Sequence, residues 1–298
     1  MANNIVLALC EGPHDVAFLN KILKTSGFKS YEDVKLNDFP APINDMLNME
    51  AVKSNVKDLN IKELRQTLLP SNTLKRDDTY LFLYSLGGDG KKSARKSLLE
   101  KIMSYIPKEG EIKQGRINVD ETLIKIIYFF DADSIGLTRR LASVRDEISE
   151  TIGSIKQESF SENGSYIHCE GIKIGCFIFT GDDNNVGKLE NILLPLMRLN
   201  NEDIFDRADT FIEENHDRTR LFPFKIKIAE NGLYEERSTK AGDKYKFDKS
   251  KSLIGTVGQL QQSGAANTVC IGFTDYLTME KITQNAKCLE IIQFVDQN

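Results

Sequence analysis

The sequence predicts an α/β fold, a mostly parallel sheet with helices on both faces. Two observations predict it. Four short runs are almost continuously apolar: "NIVLALC" at 4–10, "TYLFLYSL" at 79–86, "TLIKIIYFF" at 122–130 and "IKIGCFIFT" at 172–180. Strands of that composition are covered on both faces. Helical periodicity then follows each run, and repeated strand–helix alternation builds parallel sheets.

The elements can be justified in order. Residues 13–26 put Val16, Leu19, Ile22 and Leu23 on one stripe, with Pro13 in the first turn, where its missing N–H costs nothing. Residues 90–105 repeat the stripe with Ala94, Leu98, Ile102 and Tyr105, and residues 137–156 with Leu141, Val144, Ile148 and Ile152. "KLENILLPLMRL" at 188–199 is a further helix that Pro195 should kink or end. Residues 29–78, including a helix at "NIKELRQTLL", interrupt the rhythm and read as an insertion.

Beyond about residue 200 the pattern changes. "FKIKIA" at 224–229 alternates like a half-exposed strand, and "GLYEERSTKAGDKYKFDKSKS" reads as a polar loop. A helix near 250–262 and an apolar C-terminal stretch follow. The expected organisation is an α/β domain over 1–200, with its insertion, and an α+β extension over 201–298 packing on it.

A chain of 298 residues with 40% hydrophobic and 28% charged residues is long enough to bury a large core. Its net charge of −5 speaks against a broad non-specific nucleic-acid surface. "MANNIVLALCEG" lacks the basic start of a signal peptide, and no apolar run reaches the ~18 residues of a membrane span. None of the five cysteines forms a C-x-x-C pair; reduced thiols in a cytoplasm are the expectation. The three histidines show no metal-ligand spacing; His14, beside Glu11, reads as a surface helix residue that could contact the site.

Ligands of open α/β sheets bind beyond the carboxyl ends of the strands. The first strand ends in "CEGPHD": Glu11 is the first charge after the apolar run, and Asp15 falls in the first helical turn, where an acid also complements the helix dipole. The strand at 122–130 ends in "FFDADS". Strand side chains alternate, so Asp131 and Asp133 should share one side, where two carboxylates repel unless a cation or proton intervenes. Magnesium, a hard cation, takes such oxygens. Asp182, Asp183 and Glu190 follow the strand at 172–180, with turn formation or helix N-terminal charge as their plain alternatives. "SLGGDGKKSARK" ends the strand at 79–86. Gly87, Gly88 and Gly90 with Lys91, Lys92, Arg95 and Lys96 suit a phosphate or a solvated helix face, without P-loop spacing.

A strand ending in E-G-x-x-D followed by a later strand ending in D-x-D is the pattern of the Toprim domain, and "ALCEGPHDVAFL" and "IIYFFDADSIG" resemble it in order. "GKLENILLP" is similar to the segment after the last core strand of small stand-alone Toprim-related proteins and of the OLD nucleases. The likeness spans roughly 4–200, and "DKSKSLIGTVGQL" resembles the tail of one uncharacterised Toprim-related family. The resemblance implies a Toprim-like, Rossmann-type sheet. It also implies magnesium- or manganese-dependent phosphoryl transfer on nucleic-acid or nucleotide phosphodiesters, as in a nuclease. By this resemblance Glu11 is a general acid/base or metal ligand, Asp131 and Asp133 hold magnesium, and Asp15 and Glu190 help hold a second ion. A tail lysine, Lys249 or Lys251, stabilises transition-state charge; Lys251 is counted with the catalytic residues. No topoisomerase tyrosine context or primase zinc finger accompanies these motifs, which puts strand passage and primer synthesis in doubt, and the missing ATPase motif argues against a complete OLD protein.

Two other readings use the same acids. In a haloacid-dehalogenase-like phosphatase, "DADS" would make Asp131 a nucleophile, but such proteins place D-x-D on their first core strand. In a non-catalytic module, the acids would hold an ion that docks a nucleotide or a partner protein.

Overall fold

The computed structural model describes residues 3–54, 68–106, 122–153, 155, 159–183, 185–218, 224–237 and 247–297. Most of the expected helix "NIKELRQTLL" lies outside them. The chain divides into two compact units, Met1–Ile192 with Thr278–Asn298, and Leu193–Leu277.

The first unit carries a seven-stranded sheet, a Rossmann-like α/β arrangement flanked by helices. Its strands are β1 (Asn3–Cys10), β2 (Lys29–Ser30), β3 (Asn72–Arg76), β4 (Thr79–Ser85), β5 (Thr122–Asp131), β6 (Ser165–Cys169) and β7 (Ile172–Phe179). They lie in the order β2-β3-β4-β1-β5-β7-β6. The four apolar runs are the central strands β4, β1, β5 and β7, all parallel. Ile5 to Cys10 are fully covered, which is why their composition shows no polar alternation. The supposed insertion at 29–78 contributes β3, which pairs antiparallel with β4, and β2, which pairs antiparallel with β3 at the sheet edge.

Helices α1 (Pro13–Thr25), α2 (Ile43–Ser54), α3 (Lys92–Tyr105) and α4 (Leu137–Ile152) connect these strands. Leu98 and Ile102 of α3 and Val144 and Ile148 of α4 share a core with Leu7, Phe82, Tyr128 and Cys176. The alternate strand residues meet other helices: the Phe294 ring lies 5.9 Å from that of Phe129 and 5.5 Å from that of Phe177.

Phe294 belongs to α10 (Ala286–Asp296), which follows α9 (Met279–Gln284). The expected boundary at 200/201 is therefore corrected: the last residues of the chain belong to the sheet-bearing unit. Two buried lysines reinforce this. Lys125 donates to the carbonyls of Val295, at 3.1 Å, and Gln297, and Lys173 donates to Gln297 at 3.1 Å.

Helix α5 (Leu189–Arg198) continues through Pro195. The second unit continues with α6 (Glu202–Asn215), the hairpin β8 (Phe224–Ala229) and β9 (Gly232–Arg237), α7 (Lys249–Gly258) and α8 (Asn267–Phe273). Part of the expected polar loop is thus strand β9, and Ile226 and Ile228 of β8 are exposed instead of half-covered. Cys270 sits in a helix. Asp248 caps α7 by accepting the Lys251 N–H at 3.0 Å. Removing an N-cap oxygen typically costs about 1 kcal/mol. Asp248→Ala should lower stability by about that amount in chemical denaturation, with Asp248→Asn recovering most of it.

Candidate active site

The chain leaves β1 for β2 on one side of the sheet and leaves β5 for β6 on the other. The β1/β5 boundary is therefore the point where strand order reverses, and there the connecting loops part to leave a crevice. Glu11 and Asp131 stand at this point. The Glu11 N–H continues the ladder to the Phe129 carbonyl at 3.0 Å, and its Oε2 accepts the Asp131 N–H at 3.0 Å. Asp131 Oδ1 in turn accepts the N–H of Leu189, the first residue of α5, at 2.8 Å.

Two further acids close in. Asp15, buried in the first turn of α1, accepts the Gly12 N–H at 2.5 Å, the capping role expected of an acid there. Glu190, also buried, takes a contact from His14 Nδ1 at 3.2 Å, and Lys188 lies 3.9 Å away. His14 is thus part of the site and not a plain surface residue. Burial pushes the Asp131 carboxyl up to about 8; the charges of Asp15, Glu11 and Glu190 push the same way, against the Leu189 N–H.

Asp133 does not join them. Strand β5 stops at Asp131, and Asp133 has φ 48°, in the left-handed region. Its backbone pairs with Gly187 at 2.6 and 3.1 Å, and its side chain, 45% exposed, meets Arg140 at 2.8 Å. The expectation that alternation aims both aspartates at one point is corrected: alternation holds only while the backbone stays extended. Asp183 caps the "GDDNN" turn through the N–H groups of Asn185 (2.9 Å) and Val186 (3.2 Å), which lower its pKa, and Asp182 is exposed. Lys249 pairs with Asp209 (2.9 Å) and Glu213 within the second unit, and Lys251 lies in α7 of that unit. Among the described residues, no three His, Cys, Asp or Glu side chains are disposed as they stand to ligate a metal.

The family described as "Protein of unknown function (DUF3226)" matches residues 6–292. The chain belongs to the DUF3226 family. A solved structure similar to it is that of a hypothetical protein from Pyrococcus horikoshii OT3: 15% identity, TM-score 0.51, covering 98% of this chain and 94% of that one. At that identity the likeness concerns the fold. No curated protein matches the sequence. Among the described residues of this DUF3226 protein, no helix is long and apolar enough to cross a membrane.

The glycine-rich turn after β4 also serves the DUF3226 site by close packing. A Cβ on Gly87 would fall 1.7 Å from the Glu11 Cα, so the turn is pressed against the end of β1. Arg95 holds it there, donating to the carbonyls of Leu86 (2.7 Å) and Gly88 (3.0 Å) and forming a two-pronged pair with Glu147 at 2.8 and 2.6 Å. With these bonds Arg95 is a structural cation, not a phosphate ligand. The sequence signal for this was weak: an arginine and a glutamate 52 residues apart, on helices that only the fold brings together.

Proposed function

We propose that this protein carries out magnesium-dependent phosphoryl transfer of Toprim type, as a nuclease or phosphodiesterase acting on nucleic acid. The observation that carries the reading is Asp131. Its carboxyl stands at the sheet's switch point, faced by Glu11, Asp15 and Glu190 and bonded by the Leu189 N–H at 2.8 Å; burial and the three acids raise its pKa to about 8. Such a donor set, all hard oxygen and mutually repelling, suits a divalent cation.

Glu11 and Asp131 would hold magnesium, with Asp15 and Glu190 available for a second ion and Asp133 joining only after leaving Arg140. Manganese would fit the same oxygens. When bound, such an ion supplies Lewis-acid charge to a phosphate oxygen and acidifies water. If Glu11 is not a ligand, it would be the proton-transferring group, oriented by its bond from the Asp131 N–H. His14 steadies Glu190.

The test is cleavage of single- and double-stranded DNA and RNA with and without magnesium. Glu11→Gln should reduce the rate by about 10²–10⁴-fold with the fold intact, the usual share of a general acid/base. Equal rates in wild type and Glu11→Gln, or a trapped aspartyl phosphate on Asp131, would sink the reading.

A further inference from the structure

Beside the four acids lies a second feature. A cavity of about 200 Å³ opens next to Glu11, between α3 and α4, lined by Lys92, Arg95, Arg140, Ser143 and Glu147. Its cations are of two kinds. Arg95 is consumed by Glu147 and two carbonyls, and its charge is offset. Lys92 and Arg140 instead pair with exposed acids, Lys92 with Glu150 at 2.9 Å and the more covered Arg140 with Asp133 at 2.8 Å. Glu150 is 54% and Asp133 45% exposed. Both acids are about half-exposed and can turn to water, so a phosphate can compete with them for the two cations.

We propose that this cavity is a phosphate-binding pocket, with Lys92, Arg140 and the Ser143 hydroxyl as its donors. A phosphate takes charge-assisted hydrogen bonds from a guanidinium and an ammonium, roughly twice as strong as neutral ones. The volume falls below the ~300 Å³ at which pockets begin to enclose whole small ligands, so it takes a phosphate group and not a nucleotide base. That this phosphate belongs to the substrate strand, next to the bond attacked at Glu11, rests on the function proposed above; the binding itself does not. Capture by Arg140 also releases Asp133 from its ion pair.

The test is titration of the metal-chelated full-length protein with inorganic phosphate, followed by calorimetry and by NMR shifts of α4 amides. Wild type should saturate. Arg140→Gln and Lys92→Gln should each weaken binding about tenfold, as expected for one charge-assisted bond. Ser143→Glu, at an exposed position that leaves the fold alone, should abolish it. Arg139→Gln, the same charge change one residue away and outside the cavity, should bind like wild type. Failure of wild type to saturate, or equal weakening in Arg139→Gln and Arg140→Gln, overturns the pocket. If phosphate binds as described but no nucleic acid is cleaved, the proposed function falls and the pocket stands. If cleavage depends on Glu11 while Arg140→Gln and Ser143→Glu bind phosphate normally, the pocket falls and the function stands.

Discussion

Replacing Asp131 by asparagine is expected to make the metal-free protein more stable at pH 9 while abolishing its magnesium response. The sign follows from the raised pKa. In the folded state Asp131 keeps its proton to about pH 8, whereas the unfolded chain releases it near the ordinary value of 3.8. Below that ordinary value this group contributes its full stability. As pH rises from there through 8, the folded protein must hold a proton or accept a charge beside Glu11, Asp15 and Glu190, and stability falls.

Asparagine keeps an oxygen for the Leu189 N–H and never ionises. The difference between variant and wild type should therefore be small at pH 4, grow as pH rises, and level off above 8. The full shift would convert to several kcal/mol, but partial exposure and relaxation of the neighbouring acids argue for something on the order of 2 kcal/mol. That corresponds to a midpoint rise of roughly 5 °C. Under the proposed function, magnesium should raise the thermal midpoint of wild type but not of Asp131→Asn, because the ion relieves a repulsion the variant lacks. The same variant should lose about 10²–10⁴-fold in cleavage rate. Thermal scans across pH, with chelator or magnesium, check the stability half; destabilisation at pH 9 would show that Asp131 is not the strained acid of the site.

Gly87→Ala is expected to damage fold and site together. The added methyl would lie 1.7 Å from the Glu11 Cα and 1.8 Å from its carbonyl oxygen, both backbone atoms that no rotamer change can move aside. Overpacking costs about 1–3 kcal/mol where side chains can yield; against a central parallel strand the upper end, about 3 kcal/mol, is expected. Relief must come from shifting the turn that Arg95 clamps or the end of β1, and either displaces Glu11 from the Asp131 N–H. Gly88→Ala supplies the comparison. Gly88 has φ 72° and nothing within 4 Å of a Cβ, so it should cost only the left-handed strain of about 1–2 kcal/mol and leave Glu11 in place. Denaturation curves for the two variants, with cleavage rates on the folded fraction, separate these effects. Equal stability of Gly87→Ala and wild type would remove the close approach from the account.

The strand ends were legible because burial writes itself into composition. β1, β4, β5 and β7 are apolar on both faces, and the first charges after β1 and at the end of β5 are Glu11 and Asp131. Asp133 departs from the alternation because the extended backbone ends before it, and nothing in "DADS" states that the backbone turns left-handed after Ala132. The link of His14 to Glu190 joins residues 176 apart, and that of Arg140 to Asp133 depends on how α4 leaves the turn. "GLYEER" pairs with "FKIKIA" as a hairpin despite its polarity, because a two-stranded ribbon exposed on both faces needs no apolar face of its own.

What the sequence by itself determined was local: the apolar runs, the helical stripes, Pro13 at a helix start, and acids placed where strands end. Each follows from residue type and short-range periodicity, which act within a few residues along the chain. What only the tertiary structure decided was long-range. α10 returns to cover Phe129 and Phe177, and Gly87 is pressed against Glu11. Asp15, Glu190 and Glu11 act together on Asp131, while Asp133 is turned away to Arg140. The physical reason is that charge and packing act through space. An aspartate's pKa depends on what burial removes and which charges it faces, and neither is written in the residues beside it.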